Sequence, residues 1–101
     1  MEHTREEMVK HLMHPYEEAL EEMMDAQNYM KMVGKAHTAE DKNMYRSLSK
    51  QELDHGMAIM KSAERMLSEV ESGDPLHMVW HYLKQQLTNW RLDIERKLAE
   101  M

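Results

Sequence analysis

Apolar residues recur three and four apart along almost the whole chain, the period of an amphipathic α-helix, and turn-type residues break that pattern twice. In the first segment Tyr16, Ala19, Met23, Ala26, Met30 and Val33 form one stripe, so a helix is predicted from about Pro15 to Val33. Gly34 follows as its natural C-cap. Upstream, Thr4-Arg5-Glu6-Glu7 has the Thr-x-x-Glu form of a capping box. Pro15 predicts either a kink at His14-Pro15 or a short helix followed by a new one.

The second segment opens at Thr38-Ala39-Glu40-Asp41, a hydroxyl cap with acidic residues in the first turn. Its stripe reads Tyr45, Leu48, Glu52, His55, Ile59, Ser62 and Met66, and the helix is expected to run to about Glu71 or Ser72. Ser72-Gly73-Asp74-Pro75 then closes it and opens a third helix, with Asp74 as cap and Pro75 at the first helical position. The third stripe is Leu76, Trp80, Leu83, Leu87, Trp90, Ile94, Leu98 and Met101. Only a few residues join the first two helices, so they should pack as an antiparallel hairpin. The expectation is one all-α domain over 1–101, with the hairpin over 15–72 and the third helix over 75–101.

Composition sharpens this picture. Hydrophobic residues make up 42% and charged residues 32%, and there are only 3 Gly and 2 Pro. That is globular and leaves few turns for a β fold. At 101 residues the core is modest, and small cores are often completed by oligomerisation. Thirteen Met and no Phe suggest a core packed with methionine, although a Met-rich face can also bind partners. The absence of Cys excludes disulfides, thiolate metal sites and cysteine nucleophiles. A net charge of −6 without clustered Lys and Arg argues against nucleic acid. No run reaches the length of a membrane span, and MEHTREEMVK has no apolar core of a signal peptide, so a cytoplasmic protein is expected.

The stripe of the second helix contains a Glu and a His, which share a face at three residues' spacing. A buried carboxylate costs several kcal/mol (roughly 3–5) unless it is paired or bound to a metal, so Glu52 in that stripe calls for an explanation. If the hairpin turns near Ala36, Glu22 lies 14 residues before the bend and Glu52 lies 16 after it. At ~1.5 Å rise per residue the two carboxylates fall within about one turn of each other. The hairpin can therefore converge Glu22, Glu52 and His55.

One Glu with one Glu-x-x-His is half of a carboxylate-bridged dimetal arrangement. The third helix does not repeat the motif, because Asp93 and Glu95 are followed three residues on by Arg96 and Leu98. A homodimer would supply the missing half around a two-fold axis.

The stretch Glu22-Met-Met-Asp-Ala-Gln-Asn-Tyr29, together with Glu52-Leu-Asp-His55, resembles the ferritin-like superfamily in its rubrerythrin and encapsulated-ferritin branches. The separation of 30 residues between Glu22 and Glu52 is similar to that of encapsulated ferritins, whose single hairpins build their metal site between two chains. The resemblance covers roughly residues 15–72. It implies a four-helix bundle completed by homodimerisation, or a higher homo-oligomer, and a location that includes the inside of a protein compartment. It also implies a diiron site, with manganese as the alternative, and ferroxidase or peroxide-reductase chemistry. Glu52 would bridge the ions, Glu22 would be the terminal carboxylate and His55 the nitrogen ligand. Tyr29 would either hold a hydrogen bond behind the ligands or pack with its hydroxyl at the bundle edge. Glu18, Glu21 and Asp25 form either a cation entry path or an ordinary solvated face. The competing reading is a metal-free helical oligomer, a structural or protein-interaction module in which His55 bonds Glu22 or Glu52.

Other histidines offer weaker signals. His11 and His14 with Met8 and Met13 have the donor types of a soft copper site. His77 and His81 are i, i+4 neighbours whose only carboxylate at helical spacing is Asp74, already assigned as a cap. His3 and His37 are expected to face water near helix ends. No nucleophile–base pairing of a hydrolase is visible.

Overall fold

A computed structural model describes residues 4–101, and every element in it is helical. The first helix, α1, spans Arg5–Lys35. Thr4 caps it by accepting a hydrogen bond from the Glu7 amide at 3.2 Å. The second, α2, spans Ala39–Ala63, and the Thr38 hydroxyl accepts from the Asp41 amide at 3.1 Å. A 3-10 helix covers Glu64–Glu69, and α3 spans Pro75–Glu100. Asp74 caps α3 through the Leu76 amide at 2.8 Å, with Pro75 in the first turn as expected.

Residues 36–38 turn the chain between α1 and α2, which run antiparallel and close together. Ala19, Met23, Ala26, Met30 and Val33 of α1 are buried against Ser49, Leu53, Gly56 and Met60 of α2. Helix α3 lays Trp80, Leu87, Ile94 and Leu98 over this pair, mainly along α1. Trp90 Nε1 donates to Gln27 Oε1 at 2.7 Å, and Arg91 reaches Asp54 at 2.6 Å. Lys84 pairs with Glu64, and Arg5 with Asp74. The result is a rod of 55 × 20 × 15 Å. No helix among the described residues is long and apolar enough to cross a membrane.

Four expectations are corrected. Pro15 lies inside one continuous α1 and starts no new helix. The turns before it carry Val9, Leu12 and Met13 against Leu76, Val79, Trp80 and Leu83 of α3, so tertiary packing holds the helix through the proline. Gly34 is not the C-cap. It remains helical without positive φ, and α1 ends at Ala36, whose amide bonds the Met32 carbonyl at 2.9 Å.

Helix α2 does not continue as α-helix to Glu71 or Ser72. From Glu64 it tightens into the 3-10 form over Glu64–Glu69, with Met66 and Leu67 half-buried. The Ser68 hydroxyl also takes the Arg65 carbonyl at 2.7 Å.

The register of α2 is the most consequential correction. Its innermost row is Ser49, Leu53, Gly56 and Met60, while Tyr45, Leu48, Glu52 and Ile59 are half-buried and His55 is exposed. Small residues at 49 and 56 let the backbones approach, and the larger apolar side chains fall on the flank. The methionines divide too. Met23, Met30 and Met60 are in the core, whereas Met24, Met32, Met44, Met78 and Met101 are exposed.

Candidate metal centre

Helix α1 places Glu22 between the buried turns of Ala19 and Ala26, and α2 places Glu52 between those of Ser49 and Gly56. Antiparallel packing sets these segments side by side. Ser49 Oγ donates to the Ala26 carbonyl at 2.8 Å on one side of the acid pair. On the other side the Gly56 backbone lies against Ala19 and Glu22.

Between these contacts Glu22, Glu52 and His55 converge, each offering one ligand atom, with all three atoms within 4.8 Å of one another. Among the described residues no other group of three or more His, Asp or Glu side chains comes together this way. His55 Nδ1 stands 3.2 Å from Glu22 Oε2. The Glu22 side chain is 20% exposed and that of His55 61% exposed, so the cluster opens to the surface and does not lie in the hairpin interior as the stripe suggested.

The third helix leaves this edge uncovered. Asp54, held by Arg91 of α3, is two residues from Glu52 and so about 200° round α2 from it. Gln27, held by Trp90, is five residues from Glu22 and so about 140° round α1 from it. Helix α3 therefore packs on its own hairpin, on the side away from the three donors.

Two carboxylates in contact cannot both stay charged at little cost. Glu52, hydrogen-bonded to Glu22, partly desolvated, and facing the charges of Glu22 and Asp25, has its pKa pushed up to about 7. The same hydrogen bond from Glu52, and then the contact with His55, hold Glu22 below the ordinary carboxylate range. The pair thus keeps a proton that a cation would displace. Two carboxylates and one imidazole form a donor set that suits Fe(II) or Mn(II), and three donors leave coordination positions open. On this donor chemistry the residues present fit half of a dimetal site.

Tyr29 lies seven residues, about 10 Å, along α1 from Glu22 and stacks on Tyr45 with ring centroids 6.3 Å apart. Its stacking partner is itself seven residues before Glu52, so the tyrosine pair continues the uncovered edge toward the turn. Among the described residues no hydrogen bond joins Tyr29 to the three donors. Glu18, Glu21 and Asp25 are exposed, and Glu18 is paired with His14 at 2.8 Å.

The other histidines are not drawn into this centre. His77 Nε2 contacts the Val70 carbonyl at 3.1 Å. His11, His14, His37 and His81 are exposed, and none belongs to a three-donor cluster of His, Asp and Glu. His3 lies outside the described residues. Gly56, and the stacking of Tyr45 on Tyr29, were missed in the sequence. A glycine in mid-helix directly after Glu-x-x-His was the available signal for a close approach of backbones. No family model matches the chain, and no curated protein or solved structure matches it.

Proposed function

We propose that this chain is a non-haem metal-binding protein of ferritin-like architecture, whose diiron or dimanganese carboxylate site forms between two copies. The observation that carries this reading is the convergence of Glu22, Glu52 and His55 within 4.8 Å on the edge α3 leaves open. One chain brings half of the donors that such a site takes, and the exposed position of His55 leaves room for a second chain. Half-buried Tyr45, Leu48 and Ile59 flank the donors and supply apolar surface for a two-fold contact.

Glu52, in contact with Glu22, would hold the metal pair together with it. Glu22 is the terminal carboxylate, already depressed in pKa and ready to bind as an anion. His55 turns Nδ1 to Glu22 at 3.2 Å, which orients the ring toward the two carboxylates. When bound, an iron pair would supply ferroxidase or peroxide-reductase chemistry. The proton held by the acid pair is released as the carboxylates take up the cation.

Anaerobic Fe(II) addition followed by air tests this reading, with the mass in solution measured alongside. The expected result is a ligand-to-metal absorption band and about two irons per dimer, lost in Glu52→Ala. A monomer that takes up no iron overturns the proposal. An oligomer that takes up no iron and is unchanged by Glu52→Ala supports the metal-free interaction module instead.

A further inference from the structure

Gly56 sits in the middle of α2, where glycine costs helix stability relative to alanine. Its backbone has no positive φ, so no conformational demand calls for glycine there. The demand is spatial. A methyl group on Gly56 would lie 3.1 Å from Met23 Cε, 3.4 Å from the Ala19 carbonyl oxygen and 3.4 Å from Glu22 Cβ. The first neighbour is the flexible end of a side chain and can move aside. The other two are a backbone atom and the root of a proposed ligand, so anything larger than a methyl group would push on α1 at Glu22 itself.

We propose that Gly56 is a positioning residue for the Glu22–Glu52–His55 centre. By carrying no side chain it lets α1 and α2 approach, and it sets the gap across which Glu22 meets His55 and Glu52. Its place supports this role, because it directly follows His55 and is packed against Glu22. Seven residues away the buried Ser49 hydroxyl clasps the Ala26 carbonyl, so the approach is fixed on both sides of the acid pair. The consequence for metal uptake rests on the function proposed above. The positional claim itself does not.

Two readouts keep these separate. The first needs no metal: long-range proton–nitrogen NMR of the His55 ring reports whether Nδ1 carries the hydrogen donated to Glu22. The second is titration with zinc, a redox-inert probe of the same donors. In the wild-type protein Nδ1–H is expected to be the principal form. Gly56→Ala, which displaces only the end of Met23, should fold at least as stably and keep that tautomer. Gly56→Val should shift the ring toward Nε2–H and weaken zinc binding about tenfold or more, the scale on which groups supporting a ligand act. Gly56→Ser, one atom longer than alanine, carries the same test if Gly56→Val does not fold. Ala58→Val, at an exposed position of the same helix, is the control and should alter neither readout.

A folded Gly56→Val or Gly56→Ser protein with unchanged tautomer and zinc affinity overturns the proposal. So does an Ala58→Val protein that shifts as much. If the wild type binds no zinc while the tautomer responds to Gly56→Val, the metal reading fails and the positioning role stands.

Discussion

Glu52 shares a hydrogen bond with Glu22 across the hairpin, and that contact, more than burial, raises its pKa to about 7 while drawing that of Glu22 down. In the unfolded chain Glu52 returns to the ordinary value near 4.5. Between those values the folded protein holds a proton that the unfolded chain has lost, so this group's contribution makes stability fall as pH rises from about 4.5 through about 7. Thermal unfolding of the metal-free protein across that window should show the decline, and Glu52→Gln should flatten it and raise Tm above pH 7. A Tm of Glu52→Gln below wild type on the alkaline side would contradict the shared-proton picture.

Metal uptake has the opposite sense, because a cation and a proton compete for the same oxygens. Affinity for Fe(II) or zinc should rise with pH up to about 7 and level off above it. Adding metal should raise the melting temperature of the wild type and leave that of Glu52→Gln unmoved. Calorimetric titration at several pH values gives the profile.

Trp90 of α3 is tied to Gln27 of α1 at 2.7 Å, in a half-buried position. Gln27→Leu removes the acceptor, and water can reach the indole only in part. A loss of about 1 kcal/mol is expected, with a change in near-ultraviolet circular dichroism and little change in helix content.

Thr38 begins α2 and helps fix the turn that sets hairpin register. Thr38→Ala should cost roughly 1 kcal/mol by denaturant titration, and Thr38→Asn should recover most of it, because asparagine also caps. Equal losses in both variants would mean that the hydroxyl contact is not what stabilises this helix start.

Leu87 is 1% exposed beneath α3, while Met78 on the outer face of the same helix is 77% exposed. Leu87→Ala should cost about 2–5 kcal/mol. Met78→Ser should stay within about 0.5 kcal/mol. Urea unfolding of the pair tests which face of α3 belongs to the core.

Much of this was legible in the sequence because hydropathy period and cap chemistry agree. The three-helix order, the Thr4, Thr38 and Asp74 caps and the stripe of α1 follow from local signals that packing does not override. The nearness of Glu22 to Glu52 was also readable, since a three-residue connection leaves little freedom of register. The orientation of α2 was not. Its inner row contains Ser49 and Gly56, which carry no hydropathy signal, and what recommends them for the interior is their small size opposite Ala26 and Ala19. Tyr45, Leu48 and Ile59 therefore drew the predicted face onto the flank, and Glu52 and His55 with it. Of the two readings of Pro15, a kink or a new helix, the second failed because the grip of α3 on the preceding turns is a long-range effect.

The hold of α3 on the hairpin differs between its two neighbours. Against α1 it is largely apolar, through Leu12, Met13, Trp80 and Leu83. Against α2 it runs along a groove of about 450 Å³ where Leu53, Leu98 and Ala99 are joined by Arg46, Lys50, Asp54, Arg91 and Glu95, and the Arg91–Asp54 pair spans the gap. Dissolved salt weakens the second kind of contact and leaves the first nearly untouched. Raising the ionic strength is therefore expected to weaken the Arg91–Asp54 contact more than the packing of α3 on α1.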